Sequence, residues 1–188
     1  AFNVHGFRVA VHPPTGEIQV LQSVHAADAG YVMNPAQCRA QVEGGVAQAF
    51  GAATSEAVEI DATGDVTTRS FRTYLLPMMA DVPKTEVLFA DTFDTLGPLG
   101  AKPMSESPFN PVAPALANAV RAATGVRIPA LPLRRDLVWV ALRAAGVEGT
   151  GAASTAAVAE PAAVTTGPTL DHSMAAVADG AREPTERT

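Results

Sequence analysis

The chain has 188 residues and a formal net charge of −6, and only 17% of its residues are charged. The acidic balance and the lack of any Lys/Arg-rich run exclude nucleic-acid binding as its main role, because such proteins present a basic surface. A single cysteine excludes an internal disulfide framework and any multi-cysteine zinc or iron–sulfur site held by this chain alone. No apolar run approaches the roughly 20 residues of a membrane span. With one cysteine and no signal-peptide pattern, we expect a cytoplasmic location.

The first 56 residues predict a β-hairpin followed by a long helix. Apolar and polar residues alternate over residues 7–11 and again over residues 17–24, with the turn residues HPPTGE between them. The chain opens directly in a strand, without an initiator Met, which predicts a fragment or a processed subunit. Residues 36–56 predict a helix, because apolar residues recur there at helical spacing. These residues are Val42, Val46, Ala49, Phe50 and Ala53.

Two adjacent glycines, Gly44 and Gly45, lie inside this predicted helix. Each costs about 1 kcal/mol of helix stability relative to Ala. Their presence therefore indicates that something approaches the helix backbone closely. A tightly packed neighbouring element and a bound ligand both fit this pattern.

The rest of the chain predicts short strands, two further helices and a tail. In chain order we expect a hairpin (58–60 and 66–68), a strand (86–90), a loop, a helix (112–123) ended by Gly125, and a helix (134–145). Residues 1–145 are thus predicted to form one α+β domain, with β-hairpins packed against several helices. Residues 146–188 lack periodicity and are rich in Ala, Thr, Gly, Val and Pro, which predicts a low-complexity, disordered tail.

Three blocks, in order, resemble the large subunit of the molybdenum hydroxylases, the xanthine dehydrogenase and aldehyde oxidase family. The first is VHAADAGYVMNPAQCRAQVEGGVAQAFGAATSE, with the Asp-x-Gly, Asn-Pro and Gln-x-Glu-Gly-Gly elements. The second is SFRTYLLPMMADVPKTEV, and the third is GAKPMSESPFNPVAPALANAVRAATGVRIPALPL. The resemblance covers about residues 2–145 and implies that this is the C-terminal part of the molybdenum-binding domain.

The resemblance implies an oxidoreductase that binds a molybdenum–pterin cofactor and hydroxylates a purine such as xanthine, or an aldehyde, with oxygen from water. A role in purine catabolism would follow from the first substrate. Electrons would pass to 2Fe–2S clusters and FAD on partner domains or subunits. The N-terminal part of the large subunit would be a further partner, and the fragment alone is expected to be inactive. A carbon monoxide dehydrogenase-type relative and a non-catalytic structural subunit remain alternatives.

Glu106 is the position that matches the family's catalytic glutamate, the general base that takes the proton from the Mo–OH group. The same carboxylate, judged from its residues alone, only complements the dipole of the helix that follows. The loop departs from the family pattern at Pro103 and Ser105, where small residues or glycine are frequent, and at Ser107, which replaces a frequent Pro. These departures leave the shape of the substrate pocket open.

The resemblance also implies five cofactor-binding candidates, which are Gln41, Gly44, Gly45, Lys102 and Ser105. The Gln41 amide both donates and accepts hydrogen bonds, which suits a pterin edge. From the residues alone, packing is the favoured explanation of the two glycines, and a solvated or salt-bridged side chain is the favoured explanation of Lys102. No residue is predicted to bind a metal ion directly. Three histidines (His5, His12 and His25) lie near the start of the chain, but their spacing favours no metal site.

Overall fold

A computed structural model describes residues 1–149 and the backbone of residues 154–155, and these form a mixed four-stranded sheet covered by helices. The elements are β1 (Phe2–His12), β2 (Glu17–Asp28), α1 (Pro35–Thr54), β3 (Thr85–Phe89), α2 (Val112–Thr124), α3 (Arg135–Ala144) and β4 (Ser154–Thr155). Two single-turn 3-10 helices span Pro98–Gly100 and Ser107–Phe109. The fold is therefore α+β, as predicted. Most of the predicted tail lies outside the described residues.

The sheet has the strand order β3-β2-β1-β4. β1 and β2 form the predicted hairpin, which is antiparallel and longer than the alternation indicated. β3 adds parallel to β2, and β4 adds antiparallel to β1. The second predicted hairpin is reduced to one bridge between Ile60 and Val66, and both residues are largely exposed. These two residues have no buried face to hold a longer ladder together.

A β-bulge in β2 decides which side chains of the hairpin face the helices. Arg8 pairs with Gln22 and Val9 pairs with Val20, so Leu21 is an extra residue without a partner in β1. The extra residue reverses the alternation, because successive side chains of a strand point to opposite faces. As a result Ser23 and His25 are buried beside the apolar core, whereas Leu21 is 39% exposed.

The helices have the ends that their sequences predict. The Asn34 side chain caps α1 by accepting a hydrogen bond from the Gln37 N–H at 3.1 Å, with Pro35 in the first turn. Gly125 ends α2 in the left-handed conformation, at φ 76°. No helix among residues 1–149 is long and apolar enough to cross a membrane.

α1 and α2 pack against the sheet and share one core with it. Val42, Val46 and Ala53 of α1 are fully or almost fully buried, as are Leu116 and Val120 of α2. Val147, just after α3, packs against the edge of the same core. This core holds α1 against β3 and α2, and the candidate site lies at the side of α1.

Replacing Leu116 with Ala tests the importance of this core. Leu116 has no exposed surface, so Leu116→Ala should lower the free energy of unfolding by about 2–5 kcal/mol. The matched control is Leu96→Ala, because Leu96 is 95% exposed and its truncation should change stability by less than about 0.5 kcal/mol. Urea unfolding followed through the single tryptophan, Trp139, measures both. Equal effects of the two variants would contradict the packing described.

Candidate functional site

Glu106 lies on an exposed segment that crosses one face of α1. It immediately precedes the Ser107–Phe109 turn, and its side chain makes no capping hydrogen bond to that turn. The residue before it, Ser105, has a left-handed backbone, with φ 46°. Residues other than glycine rarely adopt this backbone conformation, so contacts with the surrounding structure must hold Ser105 in it. Three sets of contacts do so.

The first contact comes from Gln41 of α1. Its Nε2 donates a hydrogen bond to the main-chain carbonyl oxygen of Ser105, at 3.0 Å. This bond ties the residue beside Glu106 to the helix. A primary amide has a second N–H and a carbonyl oxygen, and Gln41 is exposed, so both remain available to a ligand.

The paired glycines of α1 have different surroundings. A Cβ added to Gly45 would lie 3.2 Å from Cβ of Pro108 and 3.3 Å from N of Phe109. Gly45 therefore allows the Ser107–Phe109 turn to pack against the helix backbone. A Cβ added to Gly44 would meet nothing within 4 Å, so the space beside Gly44 is open. Packing accounts for one glycine, and the second leaves room for a ligand.

The second set of contacts fixes the segment on the N-terminal side of Glu106. The Lys102 N–H donates to the carbonyl oxygen of Ala29, at 2.8 Å, and its ammonium group lies 2.6 Å from Oδ2 of Asp28. The Asp28 carboxylate also accepts hydrogen bonds from the Thr92 hydroxyl and the Gly30 N–H. The Lys102 hydrogen bond, followed by those of Thr92 and Gly30, lowers the pKa of Asp28 to about 2.

The third contact lies on the C-terminal side of Glu106. Nδ2 of Asn3 donates to Oγ of Ser107 at 2.9 Å, and the Ser107 hydroxyl donates to the carbonyl oxygen of Met104 at 2.5 Å. Asn3 comes from β1, so the segment is tied to the sheet as well as to α1. Behind Asn3, the side chains of His5 and His25 meet, with 3.0 Å between their Nδ1 atoms.

A pocket of about 470 Å³ opens beside Glu106. Its lining residues are Gln48, Ala52, Glu56, Leu76, Glu106, Phe109 and Asn110. Sequence reasoning missed Gln48 and Glu56. Gln48 lies seven residues after Gln41, about two helical turns along the same face, and this spacing could have identified it. Glu56 accepts a hydrogen bond from the Tyr74 hydroxyl at 2.6 Å, which raises the pKa of Tyr74.

The structure brings most of the predicted site residues together. Gln41, Gly45 and Ser105 surround the segment that carries Glu106. The Lys102 ammonium group forms an ion pair with Asp28, and this pair holds the N-terminal side of the segment. Within residues 1–149, no group of three or more His, Cys, Asp or Glu side chains could hold a metal ion. The catalytic and cofactor-binding roles of the predicted residues stay predictions.

Comparison with known proteins identifies the family. The model of the molybdopterin cofactor-binding domain matches residues 1–83. The aldehyde oxidoreductase molybdenum-binding subunit PaoC of Escherichia coli K12 is 36% identical over 137 residues, 72% of this chain and 19% of PaoC. The xanthine dehydrogenase molybdenum-binding subunit of Escherichia coli O157:H7 is 33% identical over 132 residues, 70% of this chain and 18% of that subunit. This chain belongs to the molybdenum hydroxylase family.

Solved structures agree with this assignment. Quinoline 2-oxidoreductase from Pseudomonas putida 86 superposes with a TM-score of 0.68 at 29% identity, over 72% of this chain and 18% of that one. Carbon monoxide dehydrogenase from Oligotropha carboxidovorans gives a TM-score of 0.66 at 28% identity, over 73% and 17%. The chain thus spans about a fifth of the length of the relatives it matches, and the cofactor of its family is the molybdenum–pterin group.

The residues present fit part of a binding surface for that cofactor. Gln41 offers an amide that donates and accepts, and the open space beside Gly44 lies one turn further along the helix. Ser105 is exposed and adds further polar groups at the same edge. A pterin edge presents donors and acceptors of the kinds that these groups complement.

The paired glycines provide a test of the close packing. Gly44→Ala should stabilise the chain by up to about 1 kcal/mol, because the added methyl group meets nothing and alanine favours the helix. Gly45→Ala should be less stable than Gly44→Ala by about 1–3 kcal/mol, because its methyl group crowds Pro108 and Phe109. Urea unfolding of the two variants checks this difference. Equal stabilities would show that the turn does not pack on Gly45.

The depressed pKa of Asp28 predicts how the structure responds to acid. A carboxylate with a lower pKa in the folded state stabilises that state above its unfolded pKa, near 3.9. The stabilisation is lost as the pH falls from that value towards about 2. Asp28→Asn should therefore be less stable than wild type at pH 7, and the difference should shrink below pH 4. Thermal unfolding between pH 2 and 7 measures it, and a difference independent of pH would contradict the ion pair.

Proposed function

We propose that this chain forms part of the active site of a molybdenum hydroxylase large subunit and that Glu106 is its general base. The observation that carries the proposal is that the Glu106 carboxylate is accessible and unpaired within residues 1–149. Glu106 is exposed on the wall of the 470 Å³ pocket, and its carboxylate has no hydrogen-bond partner within residues 1–149. A base needs an accessible carboxylate on a segment that holds its place during proton transfer. Contacts with Gln41, Asp28 and Asn3 provide that support.

Glu56 is the other carboxylate of this pocket, and it suits the role less well. It accepts a hydrogen bond from Tyr74 at 2.6 Å, which occupies part of its accepting capacity. Its Oε1 also lies close to α1, 2.0 Å from where a Cβ on Gly51 would be. Glu56 is therefore packed against the C-terminal end of α1, whereas Glu106 is exposed.

The cofactor would lie along α1, beside the open face at Gly44. Gln41 would hold its pterin edge through the free amide atoms, and Ser105 would contribute main-chain polar groups. When bound, the cofactor supplies the Lewis-acid and redox chemistry of the hydroxylation. Glu106 accepts a proton at a carboxylate oxygen from the water-derived oxygen that is transferred to the substrate. Asp28 neutralises the charge of Lys102, so the contribution of Lys102 is to hold the Glu106 segment in place through this ion pair.

The remaining parts of the enzyme would lie outside this chain. We propose as partners the N-terminal part of the large subunit and the domains or subunits that carry 2Fe–2S clusters and FAD. The relatives are named as molybdenum-binding subunits, which supports an assembly of several subunits. The proposed substrate is an aldehyde or a purine such as xanthine. The relatives named for these two activities match at similar identity, 36% and 33%, so identity does not separate them.

Two alternatives differ from this proposal in their expected behaviour. A carbon monoxide dehydrogenase-type enzyme is supported by the structural similarity to that protein. It would accept electrons from carbon monoxide and leave both organic substrates unchanged. A non-catalytic structural subunit would support assembly of the complex without contributing a base.

Replacing Glu106 in the assembled complex separates these possibilities. Glu106→Gln keeps the size and polarity of the side chain but removes the proton acceptor. We expect reduction of the molybdenum centre by xanthine or an aromatic aldehyde to slow roughly 10²–10⁴-fold, because general-base catalysis contributes about that much. Glu86→Gln is the matched control, since Glu86 is exposed on β3 and lies outside the pocket. Its rate should equal that of wild type.

The molybdenum content must be measured for each variant. A slow Glu106→Gln complex with normal molybdenum supports the base, and the faster organic substrate then identifies the substrate class. Wild-type rates in Glu106→Gln would overturn the proposal and favour the structural subunit. Reduction by carbon monoxide alone would favour the dehydrogenase.

A further inference from the structure

A row of hydrogen-bonded side chains runs along the buried face of the sheet to the segment that carries Glu106. Its atoms are, in order, Thr85 Oγ1, Ser23 Oγ, His5 Nε2 and Nδ1, His25 Nδ1 and Nε2, Asn3 Oδ1 and Nδ2, Ser107 Oγ and Met104 O. The successive distances between residues are 2.8, 3.1, 3.0, 3.0, 2.9 and 2.5 Å. The row includes every buried polar or charged side chain of the β1–β2–β3 sheet.

The end of the row at Met104 fixes the orientation of the Asn3 amide. A carbonyl oxygen only accepts, so the Ser107 hydroxyl must donate its hydrogen to Met104 O. Ser107 Oγ then accepts from Asn3, and Asn3 must present its NH₂ group. Asn3 Oδ1 consequently faces His25 and accepts from it.

The same reasoning assigns both histidine tautomers. His25 carries its hydrogen on Nε2, so in the neutral ring its Nδ1 accepts from Nδ1–H of His5. Nε2 of His5 then accepts from the Ser23 hydroxyl, and Ser23 accepts from Thr85. All the bonds of the row then point the same way, with the Thr85 hydroxyl directed to Ser23 at 2.8 Å rather than to the more distant carbonyl oxygen of Pro83 at 3.3 Å. Such a network holds its members in one arrangement.

Burial keeps both rings neutral. His25 has no exposed surface and His5 is 8% exposed. Burial, and then the neighbouring His25, lowers the pKa of His5 to about 4, and burial also lowers the pKa of His25. Within residues 1–149, the side chains that hydrogen-bond to or stack on the two rings, apart from each other, are Asn3, Ser23 and Phe7, and none of them is charged. The protonation of the two rings, and with it the direction of the hydrogen bonds in the row, is therefore constant around neutral pH.

From this geometry we propose that Asn3 is a positioning residue for Glu106, which it holds through Ser107, and that the histidine pair fixes the Asn3 amide. The proposal rests on the function proposed for Glu106. Asn3 is the link through which the buried row reaches the segment, and Ser107 is the residue next to Glu106. Because Ser105 has a left-handed backbone on the other side, the direction of Glu106 depends on both neighbours.

The test compares Asn3→Leu, Ser107→Ala and the double variant in the assembled complex. Each single substitution removes one partner of the Asn3–Ser107 hydrogen bond. Asn118→Leu is the matched control, because Asn118 is exposed on α2 and makes no hydrogen bond through its side chain within residues 1–149. Ser107→Thr keeps the hydroxyl group and tests for rescue. Reduction of the molybdenum centre is followed against substrate concentration, and each rate is divided by the bound molybdenum.

A positioning role predicts a loss of rate without a loss of substrate binding. We expect each single variant to lower the saturating rate roughly 10- to 100-fold, with the half-saturating concentration unchanged, since small displacements of a catalytic group have effects of this size. The double variant should lose no more than the worse single variant, because both act through one bond. Ser107→Thr should recover most of the rate.

Other results overturn the proposal. If the rate per molybdenum stays at the wild-type value in Ser107→Ala and Asn3→Leu while Glu106→Gln is slow, Glu106 is the base and Asn3 only stabilises the fold. Additive losses in the double variant would show that the two residues act separately. If Glu106→Gln is itself unaffected, the proposed function fails, and the Asn3 proposal fails with it.

Discussion

The candidate site depends on the close approach of two main chains at Gly45. Because α1 has no side chain there, the Ser107–Phe109 turn packs within van der Waals distance of the helix backbone. This contact sets the height of Glu106 above α1. It also brings Ser105 within reach of Gln41, one turn earlier, and places Gln48, one turn later, on the wall of the same pocket. A side chain at Gly45 would move all of these groups together.

The β-bulge at Leu21 is the second constraint, and it reaches the site from the opposite direction. If β2 were regular, with no residue bulged out, the alternation that turns Val20 inward would turn His25 towards solvent. The bulge instead places polar side chains beside an apolar core, where an unpartnered polar group would be costly. The structure meets that cost with hydrogen bonds. Among the buried side-chain polar atoms of residues 1–149, only Oγ of Ser55 lacks a partner.

The sequence predicted what depends on local patterns. The first hairpin, α1 and the end of α2 at Gly125 follow from turn residues, apolar spacing and caps, so their predictions are confirmed within a few residues. The contacts of Asn3 with Ser107 and of Gln41 with Ser105 join residues 104 and 64 positions apart. Such contacts depend on packing of the whole domain, and no local pattern contains them. Glu106 was therefore identified only through the family resemblance.

The groups that hold the Glu106 segment share one electrostatic property. The Gln41 and Asn3 amides do not titrate, the pKa of Asp28 is about 2, and that of the buried His5 is about 4. The charges of these groups thus stay constant around neutral pH. A general base gains and releases a proton in each catalytic cycle, and its direction must not change when it does. A frame of amides, neutral histidines and one tight ion pair meets that requirement for the role proposed for Glu106, because a proton gained there would leave every supporting contact in the same ionisation state.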